Sequence, residues 1–287
     1  MERRAPVRYQ RVINESELLD GLSQPGSLIV CGGTDVIVKM RAGMLQPTLL
    51  LDVTQIESLH GIQVDEGHLE IGAATLESDI MHSPLVNQHA PLLALVLRQL
   101  GSVQIRNRGT LAGNIVNASP AADGAIPLLL YEAEVQVVGP AQEQWVRLES
   151  FFTGPGKTTL SSGEFVRALR MPIGTDGFRT FFHKVGKRNA LTIAIASLGL
   201  LLNIEQGAIQ EIRIAVGSVA PTPRRLRKIE SQLTGRALDA ALPLEARDLI
   251  TGAIAPISDI RATAAYRRNV IGDLFARALR SHLTQPL

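Results

Sequence analysis

Leu100-Gly101-Ser102-Val103-Gln104-Ile105-Arg106-Asn107-Arg108-Gly109-Thr110-Leu111-Ala112-Gly113-Asn114-Ile115-Val116-Asn117-Ala118-Ser119-Pro120-Ala121-Ala122-Asp123 is the stretch around which the rest of the chain is organised. Within it Gly101, Gly109, Ala112, Gly113, Asn114, Ser119 and Pro120 crowd together, interrupted only by short apolar runs. One regular helix through the whole stretch is excluded. Glycine costs about 1 kcal/mol in a helix interior relative to alanine, and Pro120 has no N–H for a hydrogen-bond ladder. Small residues instead let backbone N–H groups approach something that is not protein, typically an anion or a cofactor. Thr110, Asn114 and Ser119 add hydroxyl and amide groups able to bond phosphate, ribose or heterocycle atoms. A turn-rich loop closing a sheet accounts for the same composition, so the stretch alone leaves both readings standing.

The composition narrows the choice. The 287 residues suffice for two domains, and 45% of them are hydrophobic, enough for substantial cores. The formal charge of +2, from 29 basic and 27 acidic side chains, and an aromatic content of 4% offer neither a basic face nor a base-stacking platform. No nucleic-acid partner is expected. Cys31 is the single cysteine, so no disulfide forms within the chain and a reducing cytoplasm is expected. An iron–sulfur cluster takes about four thiolates, so this chain alone cannot house one and any such centre must sit on another polypeptide. Residues 1–19 are charged and lack an apolar signal-peptide core. The longest apolar run, 191–202, falls short of the roughly 20 residues that span a bilayer, so no membrane contact is expected. The six histidines show no metal-ligand spacing, and no metal is assigned.

Upstream of the organising stretch, residues 14–22 read as a helix capped by Asn14 or Ser16. A short buried strand, 28–31, runs into Gly32-Gly33-Thr34-Asp35 and then a helical segment. Strand, glycine pair and helix start together form a place where consecutive N–H groups can face one anion. The stretch is neither a P-loop nor a dinucleotide fingerprint, and by itself it reads sooner as a tight strand-to-helix turn. A second strand spans 48–53, a hairpin pairs 61–64 with 68–72, and helices cover 76–81 and 84–99. Downstream, a helix over 125–133 starts beside Asp123. Strands at 134–138, 144–148 and 165–171 follow. The chain changes character at Gly174-Thr175-Asp176-Gly177, taken as the domain boundary. Three longer strands, 178–185, 191–204 and 209–219, precede helices over 223–233, 244–255 and 261–282, an antiparallel sheet with helices to one side.

With these segments in hand, Gly32 to Asp35, Gln104 to Asn114 and Ser119 to Asp123 resemble the FAD-binding subunit of the molybdenum hydroxylases, the family of xanthine dehydrogenase and carbon monoxide dehydrogenase. Phe152 to Lys157 and Ala220 to Pro223 look especially like the bacterial xanthine dehydrogenase flavoprotein subunit, and Arg261 to Arg268 resembles the family's closing-helix motif. The resemblance covers essentially the whole chain. It implies an α+β protein with a two-part FAD-binding domain of the vanillyl-alcohol-oxidase / p-cresol-methylhydroxylase type over 1–175, its subdomains roughly 1–55 and 56–175. A smaller α+β domain of the CO dehydrogenase flavoprotein type, a three-stranded antiparallel sheet plus helices, would fill 176–287.

The resemblance also implies roles. Ile29, Val30, Cys31, Gly32, Gly33, Thr34, Asp35 and Val36 would wrap the FAD pyrophosphate. Thr110, Gly113 and Asn114 would hold the second side of the cofactor, and Asp123 would accept from an FAD hydroxyl or amine. Leu100 and Val166 match apolar positions beside the flavin or adenine, and Lys184 matches a lysine near the flavin. No catalytic acid, base or nucleophile is assigned. The implied partners are a molybdopterin-binding large subunit and a small subunit carrying [2Fe–2S] clusters, in a dimer of heterotrimers, with NAD+ or another acceptor taking the electrons. The free-standing flavoenzyme and the cofactor-less scaffold are the alternatives. The second draws on one departure: Ala112 stands where the family usually has the first glycine of Thr-x-Gly-Gly-Asn.

The residues themselves leave other roles open. Asp123 can serve as a helix N-cap, Lys184 as a solvated strand residue, and Cys31 as a small buried hydrophobe. Arg106 and Arg108 suit either a phosphate or the fixing of their own loop. The basic run Arg224 to Lys228 reads as a solvated helix face or a subunit contact.

Overall fold

The computed structural model describes residues 6–175, 177–188 and 192–283. Three larger sheets and one two-stranded hairpin are found among the described residues. The first is parallel, in the order β1 (Arg8–Arg11), β3 (Leu49–Asp52), β2 (Ser27–Val30). Its crossovers are α1 (Glu15–Leu22) and α2 (Val36–Arg41). Asn14 caps α1, its Oδ1 accepting from Glu17 N at 2.8 Å, which settles the choice between Asn14 and Ser16. Central strand β3 is Leu49-Leu50-Leu51-Asp52, and Leu49 and Leu51 are buried with Val12, Leu18 and Phe165.

The second sheet is antiparallel, β4 (Ile62–Asp65), β5 (His68–Gly72), β10 (Phe165–Pro172), β6 (Glu134–Val138), β7 (Glu143–Arg147). Between β5 and β6 the chain runs through α3 (Glu77–His82), α4 (Pro84–His89), α5 (Pro91–Gln99), α6 (Val103–Arg106), α7 (Leu111–Val116) and α8 (Ala125–Leu130). The single helix expected over 84–99 is two, because Pro91 brings no N–H to bond the turn before it and Ala90 leaves helical geometry at φ −140°. The organising stretch folds as two short helices, α6 and α7, with residues 107–110 between them and Gly113 inside the second. Between β7 and β10 lie α9 (Leu148–Phe151) and a small hairpin, β8 (Phe152–Gly154) with β9 (Lys157–Thr158).

The third sheet is antiparallel and has four strands, not the expected three: β11 (Arg179–Val185), β12 (Ala196–Glu205), β13 (Ala208–Gly217) and β14 (Arg224–Arg225). The fourth is only two residues long, too short to leave a pattern in the sequence, and it occupies the start of the helix expected from 223. Residue 191, where the second strand was expected to begin, and Asp176 of the boundary stretch lie outside the described residues. Helices α10 (Arg227–Leu233), α11 (Leu242–Ala253) and α12 (Ala264–Leu283) follow the sheet.

Leu198, Leu200 and Leu202 of β12 pack into the core shared with α10, α11 and α12, whereas Leu201 joins the core of α5 and α8. Strand β12 is thus buried on both faces, which is why its sequence is a continuous apolar run rather than an alternating one. Gly199 permits this packing: a Cβ there would lie 2.5 Å from Ile126 Cγ2 of α8.

Charges fasten the same seam. Arg225 pairs with Glu230 at 2.8 Å and with Glu132 at 3.2 Å, Arg213 Nη1 donates to the Leu130 carbonyl at 3.0 Å, and Arg227 reaches Glu132 and Glu149. Burial pushes the Glu132 carboxyl up, but Arg213, Arg225 and Arg227 outweigh it and hold the group below its usual range. Of the basic run at 224–228, Arg224, Arg227 and Lys228 are exposed as a solvated face requires, and only Arg225 is turned inward, as a bolt between the second and third sheets.

Candidate cofactor cleft

Strand β2 ends at Val30, and Cys31-Gly32-Gly33-Thr34-Asp35 turns back into α2 with Gly33 at φ +71°. A Cβ on Gly32 would lie 1.9 Å from the Arg108 carbonyl oxygen, so the first glycine loop rests directly on the second. The second ends at Thr110, whose Oγ1 accepts from Gly113 N at 3.1 Å and starts α7. Lys39 closes the gap from α2, its Nζ donating to Asn117 Oδ1 at 2.5 Å and lying 2.7 Å from Asp35. Both α2 and α7 are only six residues long, so the cradle rests on loop backbone rather than on a long helix dipole.

Between the two loops opens a cleft of about 1320 Å³. Ligand pockets commonly hold about 300–1,000 Å³, so this one has room for a dinucleotide-sized molecule. Leu28, Ile29, Leu100 and Val166 contribute apolar wall, and Asp259 and Arg261 of the loop before α12, with Arg267 on α12, bring the C-terminal part of the chain to its rim. Of the residues given a role in the sequence, all but Val30 and Lys184 line it. Val30 lies behind Gly33 instead. Lys184, on β11, donates to Asp123 Oδ2 at 2.6 Å and to the Gln99 carbonyl at 2.8 Å, with both charged side chains 9% exposed. It is thus no solvated strand residue. Asp123 does not cap α8, whose N-cap is Gly124 with no side-chain bond. Burial raises the Asp123 carboxyl's pKa, and Lys184 offsets only part of that.

The cleft carries unmet bonding capacity. Among the described residues Asn114 Oδ1, Asp123 Oδ1, Glu77 Oε2 and Arg267 Nε are buried without a hydrogen-bond partner, and all four residues line it. Buried polar atoms are rarely left so, and a ligand is one of the few explanations. Three acceptor-capable oxygens and one N–H suit a molecule bearing hydroxyls, an amine and anionic oxygens, as a flavin dinucleotide does.

Two of these residues had no assigned role. Glu77 reads as the ordinary acid of a helix first turn, so nothing local marks it. Arg267 lies within the closing-helix motif, but its reach to Ile195 O, Ser218 O and Asp259 is set by tertiary packing. Asp259 is pushed up by burial yet held at about 2 by the Arg261 and Ala262 N–H groups and by Arg267. Arg106 fixes its own loop, Nη1 donating to Leu100 O at 2.8 Å. Burial, ahead of Asp52, pushes the Cys31 thiol up to about 11, the behaviour of an inert small hydrophobe. Among the described residues no cluster of three His, Cys, Asp or Glu could hold a metal, and no helix is long and apolar enough to cross a membrane.

Comparison with known proteins decides the family. Residues 5–174 match the FAD binding domain in molybdopterin dehydrogenase, and 181–282 match the CO dehydrogenase flavoprotein C-terminal domain. The chain is an FAD-binding medium subunit of the molybdenum hydroxylase family. This flavoprotein subunit is 30% identical over 274 residues to the glyceraldehyde dehydrogenase medium chain of Sulfolobus acidocaldarius, covering 96% of each chain. It is 30% identical over 278 residues to the carbon monoxide dehydrogenase medium chain of Hydrogenophaga pseudoflava, again covering 96% of each. A putative xanthine dehydrogenase FAD-binding subunit of Escherichia coli is 29% identical over 270 residues, 92% of this chain and 91% of that one. The flavoprotein subunit also superposes on a chain of the Hydrogenophaga pseudoflava carbon monoxide dehydrogenase lacking the Mo-pyranopterin moiety, with TM-score 0.92, 29% identity and coverage of 97% and 98%. It is an oxidoreductase subunit, and its cofactor is FAD.

Proposed function

We propose that this subunit is the electron-transfer flavoprotein of a molybdenum hydroxylase complex. Substrate, a purine or related heterocycle, is oxidised on a molybdopterin-binding large subunit. Electrons cross [2Fe–2S] clusters on a small subunit, reach FAD here, and leave to NAD+ or another acceptor. The complex is a dimer of heterotrimers in the cytoplasm. In the same reading the FAD domain occupies 1–175, with subdomains 1–55 and 56–175, and the C-terminal domain 176–287.

The observation that carries this reading is the meeting of two glycine loops, remote in sequence, over one cleft with unpartnered polar atoms. Ile29 and the 31–36 loop hold the diphosphate, Thr34 adding its hydroxyl, while Val30 supports Gly33 from behind. Thr110, Gly113 and Asn114 hold the opposite side. Asp123, oriented by Lys184, accepts from a cofactor hydroxyl or amine through its free Oδ1, and Leu100 and Val166 exclude water from the ring faces. Bound FAD supplies the conversion between one-electron and two-electron chemistry, and the chain's work is to position and tune it. With a single cysteine, the clusters that feed it must be a partner's.

The scaffold alternative rested on Ala112. That residue sits inside α7, 4% exposed and absent from the positive-φ positions, so its methyl is accommodated. Affinity purification of the tagged full chain from its own cells tests the proposal. It should bring down a large and a small chain with flavin and iron, and single-chain flavoprotein with full NADH-dependent turnover would refute it.

A further inference from the structure

Glu77 is the first residue of α3 and is 2% exposed. Its backbone N–H donates to Gly109 O at 2.9 Å, and a Cβ on Gly109 would come within 3.0 Å of Glu77 Oε2. The carboxyl therefore lies directly behind the point where the 107–110 loop meets Gly32. Its Oε2 has no hydrogen-bond partner among the described residues, and the residue lines the cleft.

The charges around it come from several elements. Arg106 on α6 attracts the carboxylate, but its guanidinium is bonded to the Leu100 and Gly101 carbonyls and makes no bond to Glu77. Asp123, entering from the segment before α8, repels it, and Lys184 on β11 is committed to that aspartate. On its own helix His82 bonds Ser78 O, and Asp79 lies within reach of Ser78 Oγ. On α5, Arg98 is bonded to Asn87, and His89 ends α4. Among the described residues no cation is bonded to Glu77, and burial, the dominant influence, pushes its pKa up to about 7. A diphosphate arriving in the same cleft adds negative charge, which makes an ionised carboxylate less tolerable still.

We propose that Glu77 holds the cofactor as a neutral acid, its carboxyl O–H donating to an acceptor oxygen of the flavin dinucleotide, so that the chain takes up one proton from solvent when it takes up FAD. The inference rests on the reading that FAD occupies this cleft. The proton added to the carboxylate comes from buffer, and no other bond is made or broken.

Flavin-free full chain titrated with FAD tests it, by calorimetry at pH 8 in two buffers of different ionisation heat and by flavin-fluorescence quenching from pH 6 to 9. Wild type should take up about 0.9 proton per FAD at pH 8, and its affinity should fall about 90-fold across the range, provided the bound carboxyl stays protonated throughout. Glu77→Gln keeps a neutral N–H donor and should bind with a flat profile and no such uptake. Absence of proton uptake by wild type, or an unchanged pH profile in Glu77→Gln, overturns the proposal while leaving FAD binding intact. The calorimetry needs only wild type, so it stands even if the variant folds poorly. No FAD binding at pH 6 and pH 9 alike overturns the FAD reading and this inference with it.

Discussion

Replacing Gly32 by alanine separates the two glycine loops with a single methyl. The new Cβ would sit 1.9 Å from the Arg108 carbonyl oxygen, 2.6 Å from its carbon and 3.1 Å from Gly109 Cα. All three are backbone atoms, so no side chain can rotate away, and the 107–110 loop must retreat by about 1 Å. Overpacking of this kind costs about 1–3 kcal/mol. The loop is free to relax in the flavin-free protein and must be forced back when the cofactor closes the cleft, so most of the cost falls on binding. The expected outcome is FAD affinity reduced about 5- to 150-fold. The melting temperature of the flavin-free chain should move by only a few degrees. Fluorescence titration with FAD measures the first and calorimetric melting the second. Gly154→Ala is the control, since a Cβ there meets nothing within 4 Å. Wild-type FAD affinity in Gly32→Ala would refute the claim that the contact between the loops shapes the cradle.

Ala112→Gly should lower stability by about 1 kcal/mol in denaturant melts and leave FAD affinity unimproved, because the alanine is interior to α7; a large gain in affinity would contradict this. Arg225→Met leaves Glu230 buried without its guanidinium, and thermal or urea melts should show a loss of about 3–5 kcal/mol. The flavin-free protein should lose stability as pH rises from 4.5 through about 7, because the folded chain there keeps a proton on Glu77 that the unfolded chain has released. Glu77→Gln should remove about 3 kcal/mol of that decline, seen by comparing urea melts at pH 4.5 and pH 8. Cys31, with its thiol pushed up to about 11, should resist iodoacetamide at pH 8, where about one molecule in a thousand carries the thiolate; mass spectrometry reads the labelling.

Much of the site was legible because its information is local. Gly32-Gly33 and the 100–123 stretch each concentrate their small residues in one short segment, and a backbone cradle needs nothing further in sequence. The hairpin of β4 and β5 showed itself by alternation about Asp65-Glu66-Gly67. What escaped is what tertiary packing decides. The break at Pro91 was hidden because apolar spacing continues on both sides of it. Arg225 sits among neighbouring basic residues of the same appearance, and only the fold turns one of them inward to Glu230 and Glu132. Glu77 looks like any acid at a helix start, and its burial follows from a loop thirty residues away closing over it. Arg267 and Asp259 reach the cleft rim from α12 and from the loop before it, which follow another sheet.

The ammonium of Lys184 ties Asp123 and the Gln99 carbonyl to a strand that begins only after the stretch matched as FAD domain has ended. The cofactor's host is therefore larger than its conventional module. A chimera joining the first 175 residues of this chain to a foreign C-terminal half inherits the aspartate but not the cation that neutralises it. Lys184 and Asp123 must be carried across a recombination point as one heritable unit, although that point lies between them.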